Sequence, residues 1–229
     1  ENFHREGIVG NSKVIKSSLN QIAEAASTDN SVLICGETGT GKELFARAVH
    51  NNSARSAGEM VVVDCAALTE TLVESTLFGH VKGAFTGAVQ DQTGLLQRAN
   101  KGTVFLDEVG ELSLDMQKKF LRAMEEKKFR PLGSKKEVVS DFRVVAATNR
   151  DMEVMIEQDE FRQDLFQRLK AHYVRVPPLR DRKEDIAALL DFFLQKICTR
   201  MQIPVKEYYQ EVVDIFNEYD WPGNIREFL

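Results

Sequence analysis

Gly36-Glu37-Thr38-Gly39-Thr40-Gly41-Lys42 fits the pattern G-x-x-x-x-G-K, and its flanks decide how it reads. Directly before it, residues 31–35 form a short apolar run that predicts a buried strand; directly after it, residues 43–50 are amphipathic at helical spacing. A strand, a glycine-rich turn and a helix in that order make a phosphate cradle. The glycines let the backbone curl so that successive N–H groups face one phosphate chain, the helix N-terminus adds positive potential, and Lys42 neutralises the β- and γ-phosphates. The position after Lys42 is Glu43, where the general motif has a Ser or Thr for Mg²⁺; Glu43 could meet the metal directly or through water.

Working outward, further apolar runs at 60–64, 103–107, 143–147 and 173–176 alternate with helical stretches. Runs this short and this continuous predict strands buried on both faces, and their alternation with helices predicts a five-stranded parallel sheet in an α/β fold. Ile15, Leu19, Ile22 and Ala26 form one helical stripe behind a Ser12 N-cap, and Met116, Phe120, Leu121 and Met124 form another. Pro177-Pro178 ends this texture, since neither residue continues a strand or a helix. Beyond it the chain reads as all-helical. Asp181 and Glu184 have capping-box spacing ahead of the stripe Ile186, Leu189, Leu190, Phe193, Leu194 and Ile197. A second stripe runs Val205, Tyr208, Tyr209, Val212, Val213 and Phe216, before a turn at Trp221-Pro222-Gly223-Asn224. The expected division is an α/β nucleotide-binding domain over 1–178 and a helical lid, expected to be incomplete at its C-terminus, over 179–229.

About 65 residues after Lys42 comes Thr103-Val104-Phe105-Leu106-Asp107-Glu108. A strand that delivers two acids to its end supplies the second half of a phosphate-loop site: Asp107 to hold Mg²⁺ through its water shell, Glu108 to polarise the attacking water. Asn149, after the run 143–147, could sense the γ-phosphate near that water. Arg162 and Arg168 lie six positions apart. At roughly 100° per residue they would point in different directions on a continuous helix. One reading sends at least one of them to the nucleotide of an adjacent subunit, and the other pairs them with Asp159, Glu160 or Asp164.

Composition narrows the class. The 229 residues are 43% hydrophobic and 28% charged with a net charge of −5, the balance of a soluble globular chain and the wrong sign for a primary DNA-binding module. No run approaches the roughly 18 apolar residues of a membrane-spanning helix, and Glu1-Asn2-Phe3-His4-Arg5 does not open a secretory signal. Three cysteines without Cys-x-x-Cys spacing fit a reducing compartment. The expected location is the cytoplasm.

The residues now quoted, together with Gly83-Ala84-Phe85-Thr86-Gly87-Ala88, resemble the central AAA+ ATPase domain of bacterial sigma-54-dependent transcription activators, the NtrC-like enhancer-binding proteins. The resemblance runs from Ile8-Val9-Gly10 to Trp221-Pro222-Gly223-Asn224-Ile225-Arg226-Glu227. It implies ATP and Mg²⁺ as cofactors, with nucleotide contacts from Ile8, Val9, from Gly36, Glu37, Thr38, Gly39, Thr40, Gly41, Lys42, Glu43 and Leu44, and from Arg226 as second sensor. It implies Asn149 as first sensor, Arg162 and Arg168 as trans-acting arginines, and Glu43 as the family's usual residue after the lysine. It also implies that Phe85 and Thr86 grip sigma-54, with Arg130-Pro131-Leu132-Gly133-Ser134-Lys135-Lys136 as a companion loop. The family often has Asn as a partner of the catalytic Glu where this chain has Asp64. Two ionised carboxylates cannot hydrogen-bond each other directly, so Glu108 is expected to be bridged or differently partnered.

The implied activity is ATP-driven isomerisation of sigma-54 RNA polymerase closed promoter complexes by a homohexamer or heptamer, with DNA bound through a domain outside this chain. Two other readings use the same ATP site: a nucleotide switch that sets oligomeric state, and a different AAA+ remodeller. Neither calls for Glu108, the two arginines and the hexapeptide together.

Overall fold

The computed structural model describes residues 3–66 and 70–228; Glu1, Asn2, Ala67, Leu68, Thr69 and Leu229 lie outside the described residues. Five strands, β1 (Val32–Cys35), β2 (Met60–Asp64), β3 (Thr103–Asp107), β4 (Arg143–Thr148) and β5 (His172–Arg175), form one parallel sheet in the order β2-β3-β4-β1-β5. Helices α1 (Lys13–Ala26), α2 (Lys42–Asn51), α3 (Glu70–Phe78), α4 (Leu114–Glu126), α5 (Met152–Glu157) and α6 (Gln163–Leu169) flank it.

Alternation along each inner strand feeds two separate cores. Val32, Ile34, Phe105, Val145 and Ala147 pack with Ile15, Ile22, Phe45 and Val49 of α1 and α2. Leu33, Val104, Leu106, Val144 and Ala146 pack on the other face with Phe120, Met124 and Leu165 of α4 and α6. Each fully buried Phe or Leu contributes about 1.5–3 kcal/mol relative to exposure. Burial on both faces holds for the three inner strands only. Val62 of β2 is 41% exposed and Tyr173 of β5 is 43% exposed, because these strands are the sheet edges and each has only one strand neighbour. Strand ends shift by one residue from the expected runs: β1 starts at Val32, β4 reaches Thr148, and β5 starts at His172 and ends at Arg175.

Ser12 caps α1 as expected, its hydroxyl accepting from Ile15 N. The lid departs from its expected pattern twice. Leu179–Asp185 is a 3₁₀ segment, and α7 (Ile186–Met201) starts after Asp185, so Asp181 and Glu184 form no capping box. Asp185 serves the other domain instead: its carboxylate accepts from Asn11 N (2.7 Å), Ser12 N (2.9 Å) and the Ser12 hydroxyl (2.6 Å). Gly10 makes room for it, since a Cβ there would lie 2.6 Å from Asp185 Oδ2. The second lid helix, α8, covers Gln210–Glu218, leaving Val205 and Tyr209 exposed ahead of it. With α9 (Asn224–Phe228), these helices enclose a small core of Leu179, Ile186, Leu189, Phe193 and Trp221, against which Val9 also packs. No helix among the described residues is long and apolar enough to cross a membrane.

Candidate functional site

β1 delivers the chain into the glycine-rich loop, and α2 begins at Lys42 itself with Gly41 (φ +93°) as its N-cap. Gly41 has no side chain to cap the first turn, so those amides stay available to an anion. Gly36 N donates to Thr148 O (3.2 Å), which ties the loop to β4. Lys42 is 7% exposed, and its ammonium donates to Gly36 O (3.0 Å) and pairs with Glu108 Oε1 (3.2 Å).

β3 and β4 bring the acids and Asn149 to the same end of the sheet. Glu108 Oε2 accepts from Asn149 N (3.0 Å), while Asn149 Nδ2 donates to the Thr38 hydroxyl (2.9 Å). Glu108 therefore sits between Lys42, expected to meet phosphate, and Asn149, expected to sense it. Its backbone is left-handed (φ 52°, ψ 53°), a conformation that costs a non-glycine residue about 1–2 kcal/mol and is held here by the surrounding contacts. Asp64 stands opposite Asp107 in the β2–β3 register and accepts from Ala66 N (2.9 Å). Burial raises the pKa of Asp107, and the charges of Glu108 and Asp64 raise it further. A crowded, half-buried carboxylate of this kind gains from a cation, so Asp107 fits a Mg²⁺ role. The carboxylate of Glu43, the other residue expected near the metal, pairs here with Arg47 one turn along the exposed face of α2 (2.6 Å).

The lid closes over the loop through contacts absent from the expected set. Arg180 donates to Glu37 (2.8 Å), Asn224 Nδ2 donates to Glu37 Oε2 (3.2 Å) and Thr38 O (3.1 Å), and Arg226 reaches Gly39 O through its backbone amide (3.2 Å). Ile8, Val9 and Leu44 line a cleft of about 290 Å³ between loop and lid, with Arg182, Phe193 and Ile225 on its lid side. Ile8 and Val9, the pair expected to meet the nucleotide, thus lie together beside the phosphate loop. No local pattern marks Arg180, Arg182 or Asn224, because their partners lie far away in sequence.

The 83–88 hexapeptide stands on the insertion that follows α3. Gly83 N donates to Ala88 O (2.8 Å) and Ala88 N to Phe85 O (3.0 Å), which closes the loop on itself. Thr86 is exposed at the tip; Phe85 is half-buried, its ring edge-on to His80 at 5.0 Å. The companion loop touches this one directly: Val81 N donates to Leu132 O (3.0 Å) and Leu132 N to Gly79 O (2.9 Å).

Residues 8–175 match the family described as the Sigma-54 interaction domain, and residues 180–228 match the AAA+ ATPase lid domain. This chain belongs to the sigma-54 interaction domain family. It is 47% identical over 220 residues to Regulatory protein AtoC of Escherichia coli K12, covering 96% of this chain and 48% of that protein. It is 47% identical over 221 residues to Transcriptional regulatory protein ZraR of the same strain, covering 96% and 50%. The chain thus spans about half the length of these relatives. Among solved structures, NtrX from Brucella abortus in complex with ATP superposes with a TM-score of 0.89 at 34% identity, over 96% of this chain and 48% of that one. The five-stranded parallel sheet followed by a lid is the AAA+ P-loop NTPase fold.

In this sigma-54 interaction domain the two arginines do not share a helix face. Arg162 precedes α6 as its N-cap and pairs with Asp164 (2.6 Å), one of the three carboxylates weighed as surface partners for the two arginines. Arg168 is in the last turn of α6, exposed and without an ion pair among the described residues.

The loop–lid contact carries a pH signature. Hydrogen bonding from Arg180 lowers the pKa of Glu37 from 4.5 to about 2. A depressed carboxylate stabilises the closed arrangement above its unfolded value and loses that contribution as pH falls from about 4.5 towards 2. Both side chains are about two-fifths exposed, so the effect is modest. Arg180→Ala should flatten this part of the acid titration, read by the fluorescence of Trp221, the single tryptophan. An unchanged titration in Arg180→Ala would remove Glu37 from the account.

Proposed function

We propose that this domain hydrolyses ATP at the subunit interfaces of a homo-oligomeric ring, a hexamer or heptamer, and couples turnover to isomerisation of closed promoter complexes of sigma-54 RNA polymerase holoenzyme. The observation that carries it is the shared position of Glu108 between Lys42 and Asn149, in a family named for sigma-54 interaction and with the 83–88 loop intact. Glu108 takes the proton of the attacking water, Lys42 neutralises phosphate charge, and Asn149 orients Glu108 through its amide. Asp107 is the residue that would hold Mg²⁺, which would supply charge neutralisation at the phosphates. Arg162 and Arg168 act on the nucleotide of a neighbouring copy, which asks Arg162 to leave Asp164. The α/β part, 1–178, carries this chemistry and the lid, 179–229, closes over the base. DNA is bound through a domain outside this chain, and the setting is the cytoplasm.

Trapping tests the partner: the domain is incubated with ADP, a metal-fluoride phosphate mimic and purified sigma-54, then run on a native gel. A slow species forms with the wild-type chain and is lost in Thr86→Ala. No such species, with ATP hydrolysis intact, sinks the sigma-54 assignment; neither species nor hydrolysis favours a nucleotide switch. Asp64→Asn belongs on the same gel, because the charge of Asp64 bears on Asp107. Trapping and turnover both unchanged would leave Asp64 no part in the coupling.

A further inference from the structure

A second group of cations gathers at the end of the sheet opposite Lys42. Arg143, the first residue of β4, is 2% exposed. Its Nε donates to Asn30 O (3.0 Å) and Nη2 to Ala25 O (2.7 Å), near the C-terminal end of α1. The remaining nitrogen, Nη1, is shut off from solvent and has no partner. Among the described residues no carboxylate pairs with this guanidinium. Asp29, whose charge it feels, is held by Arg55 (2.5 Å), and Asp141 is held by Arg55 (3.0 Å) and Lys101 (2.9 Å). A charge buried against carbonyl dipoles alone is poorly compensated.

Arg143 lines a cleft of about 270 Å³ together with Lys127 and Arg168. Lys127 ends α4 in a left-handed conformation (φ 53°), and its ammonium donates to Phe142 O (2.6 Å) above that residue's ring. Burial lowers its pKa, and the charges of Arg55 and Arg168 add in the same direction against the opposing charges of Asp141 and Asp29. Neither Lys127 nor Arg168 has an ion pair among the described residues. Three cations therefore line one cleft of a chain whose net charge is −5, and the one carboxylate that also lines it, Asp29, is committed to Arg55.

We propose that this cleft receives a phosphate group, with Lys127 as its principal ligand, Arg168 at its rim and the buried Arg143 charge beneath. A tetrahedral dianion can face three cations at once, whereas one carboxylate would leave part of the charge unanswered. The phosphate has two sources: free inorganic phosphate, or the terminal phosphate of a neighbouring copy's nucleotide. The second source rests on the subunit-interface reading above; the first does not.

The variant is Lys127→Met, which keeps the aliphatic stem at a half-exposed position and avoids the folding risk of replacing Arg143. In one arm, inorganic phosphate is titrated by calorimetry into Lys42→Ala protein, whose own phosphate loop is disabled. Saturable binding, weakened at least tenfold by adding Lys127→Met, assigns free phosphate to the cleft. In the other arm, ATP turnover is measured at concentrations where copies assemble. If the neighbour's phosphate is the ligand, Lys127→Met lowers kcat with KM unchanged, and mixing it with Lys42→Ala copies restores turnover, because each Lys42→Ala copy still offers Lys127 to its neighbour. No saturable phosphate binding together with wild-type turnover in Lys127→Met overturns the proposal while leaving the ATPase reading intact. If the wild-type chain hydrolyses no ATP, the ATPase reading fails and the phosphate titration alone decides the cleft.

Discussion

Glu108→Gln should leave ATP bound and stop its hydrolysis. The amide keeps the size of the side chain and one oxygen for Asn149 N, which now lies 3.0 Å from Glu108 Oε2. It cannot take a proton from water, and loss of a positioned general base costs roughly 10²–10⁴-fold in rate. The lost pairing with Lys42, 3.2 Å away, frees that ammonium for phosphate, so affinity should hold or rise. Single-turnover phosphate release and an equilibrium nucleotide titration separate the two effects. Hydrolysis within tenfold of wild type would exclude Glu108 as the base and move attention to Asp64 or Asp107.

Gly39→Ala should be the most damaging substitution of a single small residue in the loop. Gly39 has φ +81°, and a Cβ there would lie 2.2 Å from Gly223 O, a backbone atom of the lid turn. Left-handed backbone costs a non-glycine residue of order 1–3 kcal/mol, and the clash forces either the loop or the lid turn aside. Nucleotide affinity should fall about 10–100-fold, with Trp221 reporting the displaced lid at equilibrium. Gly41→Ala is the informative companion: its φ is +93° but its nearest neighbour would be the Leu44 side chain at 3.7 Å. A similar disturbance of Trp221 by both would show backbone conformation, not lid contact, to be the cause.

What sequence could reveal follows from how far apart the partners lie. The strand–loop–helix around Lys42 is local, and so is the delivery of Asp107 and Glu108 by an apolar strand; both read directly. The three inner strands read as continuous apolar runs because both their faces are covered. β2 and β5 carry similar runs yet expose Val62 and Tyr173, since position in the sheet, not composition, decides which strand is an edge. The lid was the harder part. Arg180 meets Glu37 across 143 positions, and no periodicity encodes such a contact. Asp181 and Glu184 had the spacing of a cap, but Asp185 was drawn to the amides of Asn11 and Ser12, and the chain there formed a 3₁₀ segment. The pairing of Glu43 with Arg47 one turn on is local, by contrast, and its i,i+4 spacing is visible in the sequence.

The two inserted loops and the two strand ends form a closed linkage. From Asp64 the chain leads through α3, about 14 Å of helix at 1.5 Å per residue, to the hexapeptide. From Glu108 it leads through α4, about 20 Å, to the companion loop. The backbone hydrogen bonds at Val81 and Leu132 join the far ends, and the β2–β3 pairing joins the near ones. If the acids rotate during ATP turnover, two helices joined at both ends in this way would turn the rotation into a sideways sweep of the loop tip rather than a stretch. On the ATP-driven reading proposed above, the direction of that sweep would follow from the unequal lengths of the two helices, and inserting one turn into either should redirect the tip without touching the nucleotide site.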